Sequence, residues 1–572
     1  MGVAAVLDIT HSALLAQRAA LEVTGHNIAN ADTKGYSRQR VAFTTRIPLP
    51  MGSVILGTGV DLEQIMRSYN RFATMNIDRK TSTLGNLETR SEYLGILETV
   101  FNETADGGLE DRLSAFWAGW QDVANNPNGS AARLALIQHA EELVSLIQTR
   151  SEEITSISSE LRSRITEEVS EINDTLSQIA QLNNEILGME VGGGSANDLR
   201  DQRDLLLHGL SEAVDCNYFE GPDGQVTVFI AGRLVVDNCN AYSLDTAASG
   251  GGSVAITWHG SQAGTEDISS LIEGGQLGGH LTLLNDTLPG FAGSLDDLAE
   301  ALAFEVNAVH SQGVGQSAES SLTTLYQATD ADEAMASTDS GLYYWDRIDN
   351  SGTAGFKIHI YDANGDPLVA GGDTITITAD MTLSELATAL DAVNGIDASV
   401  TDGYLTISAA AGEGGSSFAF SEDSSGVLAA LGLNAFFSGH DASTLAVVAT
   451  SESIAAAKVQ SDSTFGLGDG SNALDIADLE DTRVAIGGTT QTFGDALGAL
   501  LGGIAVEAAS VERRLAFQDS MVEQLTTRRD SETGVSLDEE LTNMIKFQHA
   551  YTAAAKLLKV ANDMLEILIG MK

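Results

Sequence analysis

Apolar positions recur at coiled-coil spacing at both ends of the chain. From Leu537 a stripe runs through Leu541, Met544, Gln548, Tyr551, Ala555, Leu558, Asn562, Leu565 and Ile569 in alternating steps of about four and three residues. That period keeps one side of a helix turned toward a partner helix. At the other end Leu7, Leu14, Leu21 and Ile28 recur at every seventh position. Chain ends are usually short and polar, because frayed ends bury nothing, so seams in both places predict ends that need a partner. Gln548 and Asn562 sit inside the second seam, where polar residues cost stability but fix register and partner number.

Between the ends the pattern changes twice. Residues 131–187 contain neither Gly nor Pro, and Ile154, Ile157, Leu161, Ile165, Val169, Ile172, Leu176, Ile179 and Ile186 hold one helical stripe. As one helix this stretch would be about 85 Å long, starting near Asn128-Gly129-Ser130 and stopping at Gly188. Further helices are expected over 295–310, with Ser294 and Asp297 as its cap, and over about 504–529. Two strand-rich blocks interrupt them. The first, 212–284, alternates through Gln225-Val226-Thr227-Val228-Phe229-Ile230 behind the turn Gly221-Pro222-Asp223-Gly224. The second, 320–452, carries hairpin turns at Asn364-Gly365 and Asp402-Gly403. The fold expected is α+β: an elongated helical bundle rod with terminal coiled-coil helices and inserted β-rich domains. Its segments are a terminal assembly domain (1–45 and 535–572), a helical rod (46–211, 285–319 and 453–534), a β-rich domain (212–284) and a β-rich outer insert (320–452).

Charge narrows the choice of partners. The formal net charge is −50 over 572 residues. It is uneven: residues 315–460 hold 20 acids against three bases, Arg347, Lys357 and Lys458. Such a field repels nucleic acid, which is not expected as a partner. No run approaches the eighteen or so apolar residues of a membrane span, and no signal peptide is visible, so no membrane insertion is expected. Cys216 and Cys239 fit no zinc or redox spacing; two unpaired thiols are favoured over one disulfide.

The sequence carries no recognisable catalytic or metal-binding pattern. There is no phosphate loop, no nucleophile elbow and no His-Glu-x-x-His pair, and the ten histidines are scattered. Asp362, Asn364, Asp366 and Asp373 mimic some positions of a calcium loop, but Pro367 stands where that loop needs glycine, so an acidic hairpin turn is preferred. No enzyme, cofactor or metal is expected.

The informative motifs flank the seams. Asn27 and Asn30 can satisfy the last open carbonyls of the first helix, and Gly35 can adopt the left-handed conformation that ends it. Tyr36, Arg38 and Gln39 then emerge on an irregular strand. The stretch Thr24-Gly25-His26-Asn27-Ile28-Ala29-Asn30, with Thr33 and Gly35-Tyr36-Ser37-Arg38-Gln39, resembles the N-terminal signature of the axial proteins of the bacterial flagellum. Lys34 departs from it, since that family usually has proline there. Gly534-Val535-Ser536-Leu537-Asp538-Glu539-Glu540-Leu541, Ile545-Lys546-Phe547-Gln548 and Ala550-Tyr551 resemble the C-terminal signature, and Ser536 with Glu539 reads as a capping box. In the middle, Asn125-Asn126-Pro127, Ala132-Arg133, Glu171-Ile172-Asn173, Ile179-Ala180-Gln181-Leu182-Asn183, Asn197-Asp198-Leu199-Arg200-Asp201-Gln202-Arg203-Asp204 and Leu431-Gly432-Leu433-Asn434-Ala435-Phe436-Phe437 are similar to the hook-associated proteins of the hook–filament junction.

The resemblance implies a structural subunit at the hook–filament junction that self-associates in a ring. Its partners would be the hook protein, a second junction protein, and a cytoplasmic export chaperone on the C-terminal helix. It also implies export without a cleaved signal peptide and an extracellular place in the flagellum, with termini that order on assembly. The alternatives are a hook, rod or filament subunit, or a secreted carbohydrate-acting or adhesive protein.

Overall fold

The structure is a computed structural model that describes residues 3–51, 54–101, 107–260, 264–410, 412 and 414–570. Twelve α-helices follow in chain order among them: α1 (Val3–Ala29), α2 (Arg71–Val100), α3 (Leu109–Asn125), α4 (Ser130–Glu190), α5 (Asn197–Ala213), α6 (Gly275–Thr282), α7 (Leu288–His310), α8 (Leu383–Asp391), α9 (Val427–Leu431), α10 (Ser471–Ala477), α11 (Phe493–Thr533) and α12 (Leu537–Gly570). Long terminal helices and inserted strands make the fold α+β. The chain divides into two compact units: Met1–Tyr93 with Glu160–Asp286 and Ala509–Lys572, and Leu94–Ser159 with Thr287–Ala508. The four-segment division drawn from the sequence is finer than this and stays a proposal.

The 61-residue helix α4 is about 90 Å long. All nine residues of its expected stripe, from Ile154 to Ile186, are buried. Each such aliphatic side chain contributes roughly 1.5–3 kcal/mol of burial, so a charge at Leu176 or Ile179 would break that seam. The helix runs past Gly188 to Glu190, because one glycine costs a helix only about 1 kcal/mol.

In the first unit a long hairpin follows α1. Strands β1 (Gln39–Thr45) and β4 (Val60–Arg67) pair antiparallel, with β2 (Leu49–Met51) and β3 (Val54–Leu56) pairing further out. A four-stranded antiparallel sheet, β5 (Cys216–Glu220), β6 (Val226–Ile230), β7 (Arg233–Asp237) and β8 (Asn240–Ala241), buries Tyr218, Val228 and Ile230. Asn183 of α4 holds it: Nδ2 donates to the Val226 and Asn238 carbonyls, and Oδ1 accepts from Val226 N–H. Strands β9 (Leu244–Ala248), β10 (Val254–Trp258) and β11 (Glu266–Asp267) form a second sheet. The strand-rich block ends there. Residues 275–282, expected to be extended, are helical instead, because Leu277 and Leu281 recur at helical spacing and are buried.

The second unit packs an aromatic nest of Phe116, Trp117, Trp120, Phe436 and Phe437, all at most 1% exposed. Asn307 Oδ1 accepts the N–H groups of Phe436 and Phe437, and its Nδ2 donates to the Phe437 carbonyl. The outer strands form two three-stranded antiparallel sheets around a core that includes Ile358, Leu386, Leu405, Ile407 and Phe418. Asp402 and Gly403 take φ of +52° and +79° at the turn between Thr401 and Tyr404, the left-handed pair that a two-residue hairpin requires.

Two more helix starts and one cap differ from expectation. Helix α7 begins at Leu288, not Leu295, because Pro289 sits in the first turn, where no N–H is needed. Ser294 is therefore mid-helix and donates to the Gly290 carbonyl. Helix α11 begins at Phe493, eleven residues early, with Gly498, Gly502 and Gly503 inside it. The expected capping box at Ser536 is half-made: Glu539 N–H reaches Ser536 Oγ at 3.5 Å, while the Glu539 carboxylate goes to Arg38.

Candidate functional site

Helices α1 and α12 pack side by side in opposite directions, and a polar knot fastens their base. Asn27, 1% exposed, lies at its centre. Its Nδ2 donates to the Gln39 carbonyl (2.9 Å) and to Glu540 Oε2 (3.0 Å). Its Oδ1 accepts from Gln39 N–H (2.9 Å) and from the Tyr36 hydroxyl (2.8 Å). It therefore holds the chain that follows the helix and does not cap the helix carbonyls, as the sequence had suggested. Asn30 does take that role, donating to the His26 carbonyl at 3.0 Å.

Arg38 joins the two ends of the chain. Its Nε donates to Glu540 Oε1 at 2.7 Å and its Nη1 to Glu539 Oε2 at 2.8 Å. The Arg38 and Glu540 side chains are 9% and 3% exposed, and Glu539 is 64% exposed. Gln39 donates through Nε2 to Asp198, and Ser37 N–H to Asp201. Arg67 of β4, itself buried, bridges Asp201 (3.0 Å) and Asp204 (2.5 Å). Burial pushes the carboxyls of Asp201 and Asp204 up, and Arg67 pulls both back down. The acidic motif of α5 thus serves as the anchor for the N-terminal signature. Gly35 takes φ +82° in the loop beyond the helix end, 3.4 Å from Leu205 at the position of its missing side chain. Burial also raises the Tyr36 phenol.

The seams are placed differently from the expected lines. On α1 the buried stripe is Ser12, Ala16, Ala20, Val23 and Asn27, while Leu7, Leu14, Leu21 and Ile28 flank it half-buried. On α12 the buried residues are Glu540, Ala554 and Ala561, with Met544, Leu558 and Leu565 half-buried beside them. Leu541, Gln548, Tyr551 and Asn562 are exposed. Small residues let two helices approach closely, and the larger seam residues are left for other contacts. Glu540 and Asp201 stood in the sequence only inside the resemblance motifs, with no role of their own, and Arg67 was not singled out. The signal for Glu540 was one more carboxylate in the first turn of the last helix, beside Asp538 and Glu539.

A cleft of about 570 Å³ runs beside the loop 31–37, lined in part by Tyr69, Asp78, His208 and Arg529. Asp78 there accepts from the Tyr218 hydroxyl (2.6 Å) and lies 2.8 Å from His208 Nδ1, which satisfies a buried carboxylate. No group of three or more metal-ligating side chains converges among the described residues. The acidic hairpin at 362–366 closes on itself: Asp362 Oδ1 accepts from the backbone of Asn364 and Asp366. By length and composition, a stretch within Phe493–Ile567 is apolar enough to cross a membrane, contrary to expectation, and only 28% of it is buried. Exposed apolar helix surface of this kind is also what a helical assembly requires.

Two family models match the paired terminal helices. Residues 7–36 match the flagella basal body rod protein family, and residues 530–571 the C-terminal family of flagellar basal body rod FlgEFG proteins. The class is therefore that of the axial proteins of the bacterial flagellum. Residues 94–322 match the helical domain of flagellar hook-associated protein FlgK. The chain is 27% identical to flagellar hook-associated protein 1 of Bacillus subtilis, covering 99% of this chain and 97% of that one. It is 27% identical to its counterpart in Salmonella typhimurium and 26% to that in Escherichia coli, at 98% of each chain. The flagellar hook junction protein FlgK of Burkholderia pseudomallei shares the fold, with a TM-score of 0.54 and 18% identity over 81% of this chain and 100% of that one. Over nearly its whole length the chain is thus similar to flagellar hook-associated protein 1.

Proposed function

We propose that this chain is a structural subunit of the bacterial flagellum that joins hook to filament. The observation that carries the reading is the clasp: Arg38, Asn27 and Glu540 bring both termini together and leave apolar surface of α12 open for neighbours. In this reading copies associate in a ring, contact the hook protein on one side and a second junction protein on the other, and leave the cell without a cleaved signal peptide. An export chaperone shields the C-terminal helix before assembly, because its exposed apolar residues are an aggregation hazard. The role is structural, not enzymatic. The family match over 94–322 supports the junction over a hook or rod subunit.

The test is deletion of the gene in the bacterium that encodes it. The expected phenotype is hooks without filaments and flagellin shed into the medium, restored by the intact gene. Normal filaments in the deletion strain would refute the reading.

A further inference from the structure

Helix α5 meets the rest of the first unit through charges placed in two rows. Asp198, Asp201 and Asp204 stand three residues apart, and so do Arg200 and Arg203. At about 3.6 residues per turn the two rows fall on different sides of the helix. The acidic row holds the chain that leaves α1 and the strand β4. Asp198 accepts from Gln39 Nε2 at 2.8 Å and Asp201 from Ser37 N–H at 2.9 Å, while Asp201 and Asp204 both accept from Arg67. The basic row holds the sheet of β5–β8 and the end of α4. Arg203, 1% exposed, donates to the Gly224 carbonyl (2.6 Å), to Glu220 (2.7 Å) and to Asn183 Oδ1 (3.1 Å). Arg200 grips Glu190 with two bonds of 2.8 and 2.7 Å and also reaches Glu220.

These charges are what seats the first half of the helix. Between 197 and 205 the buried side chains are Asn197, Asp201 and Arg203, all polar, and the buried apolar anchors Leu207 and Leu210 belong to the second half. Asn197 adds one more bond on the acidic side, to the Ile65 carbonyl of β4 at 2.9 Å. The preceding segment, 191–195, is exposed and contains Gly192, Gly193 and Gly194, so it imposes no shape of its own. A helix of 17 residues is marginal in water without tertiary contacts.

We infer that the first half of α5 is a coupling element: seating of Ser37–Gln39 on its acidic row and seating of the β5–β6 hairpin on its basic row stabilise each other. The part with two states is this half of the helix itself, ordered while both rows are held and loosened when either is released. Ser37 and Gln39 flank Arg38, the residue that grips Glu540. Opening the clasp therefore withdraws partners from Asp198 and Asp201, and the hold of Arg200 and Arg203 on the sheet weakens with them. The effect runs equally in the other direction, as coupling between two sites must. Docking of the chain ends and closure of the sheet thereby become one event.

Hydrogen exchange on the full chain, read by mass spectrometry, tests this by breaking one row and watching the other. Arg67→Met releases the acidic row, and exchange is read over 216–230, with which Arg67 makes no bond among the described residues. Arg203→Met releases the basic row, and exchange is read over 37–45. Each variant is expected to speed exchange at its far side about tenfold, a size usual for coupled sites. The strands β9 and β10, to which α5 makes no hydrogen bond among the described residues, should stay within about twofold of the parent chain. A change confined to the near side would overturn the coupling, and so would a far-side response in only one of the two directions. An equal rise over β9 and β10 would overturn it as well, since that is general loosening of the unit. Asp198→Asn and Glu190→Gln repeat the two arms where the arginine variants do not fold, with about fivefold expected at the same far sides; no far-side change in either overturns the inference.

Discussion

Replacing Arg38 with methionine leaves the Glu540 carboxylate, 3% exposed, with Asn27 Nδ2 as its one remaining side-chain donor among the described residues. Removing one partner of a buried ion pair costs about 3–5 kcal/mol, because the other charge stays buried. The second contact, to the 64% exposed Glu539, adds only about 0–1 kcal/mol. The loss falls on the α1–α12 pair, whose buried stripe of Ser12, Ala16, Ala20, Ala554 and Ala561 offers little apolar area in compensation. At about 1.4 kcal/mol per tenfold, amide exchange in the first half of α12 should speed up by roughly a hundredfold or more. Exchange in the buried stripe of α4 should not change. Hydrogen exchange read by mass spectrometry on the full chain measures both. The variant Arg38→Met with Glu540→Met removes both charges and should lose less protection than Arg38→Met alone. Unchanged exchange in α12 for the single variant, or a double variant looser than the single one, would refute the clasp as the element that orders the termini.

Other outcomes are expected along the chain. Leu541→Asp changes a residue that is 49% exposed, so the chain should keep its thermal midpoint within a degree or two yet fail to support filaments; a large drop in the midpoint would contradict the placement. His310 is fully buried: its Nδ1 is 2.7 Å from the Asn434 carbonyl and its Nε2 accepts from Ala455 N–H at 3.0 Å. Burial lowers its pKa from 6.5 to about 4, so the unfolded chain takes up this proton first as pH falls. Stability from this group is complete above about pH 6.5 and declines by up to about 3 kcal/mol toward pH 4. Urea unfolding of the intact chain and of His310→Gln at pH 7 and 5 should show a smaller pH difference in the variant. Cys239 is exposed, whereas burial pushes the Cys216 thiol up to about 12. A thiol reagent should therefore label Cys239 rapidly and Cys216 mainly after unfolding, and failure to label either in the native chain would point to a disulfide.

The long periodic helices were legible because a stripe sustained over many turns has one interpretation. The Ile154–Ile186 stripe of α4 is buried throughout, and Ser130 begins the helix where Asn128-Gly129 suggested. Boundaries were less legible where glycine and proline have two meanings. Pro289 was compatible with a break or a first turn, and Gly498, Gly502 and Gly503 with a linker or a helix; the burial of Leu497, Leu500 and Ile504 at helical spacing decides for the helix. The clasp was half legible. The residue types of the N-terminal signature stood out, but Glu539 and Glu540, which Arg38 grips and one of which Asn27 shares, lie hundreds of positions away, and no local spacing rule reaches that far. The residues that pair within the chain were illegible for a related reason. Leucine is the conspicuous residue in a heptad, yet the pair formed within one chain uses the alanines, and alanine at those positions resembles ordinary helix filler.

Arg38 and Glu540 are separated by 502 positions, and this distance sets an order of events. A contact that closes so long a loop cannot form until nearly the whole polypeptide is present on one side of any barrier it crosses. The second unit ends at Ala508 and can condense from segments made earlier, but the base of the terminal helices in the first stays open until the final forty or so residues arrive. Fastening these ends therefore reports that the molecule is complete. A copy truncated before Glu540 would leave Arg38 and Asn27 without that shared partner, and the base of α1 would have nothing to close on.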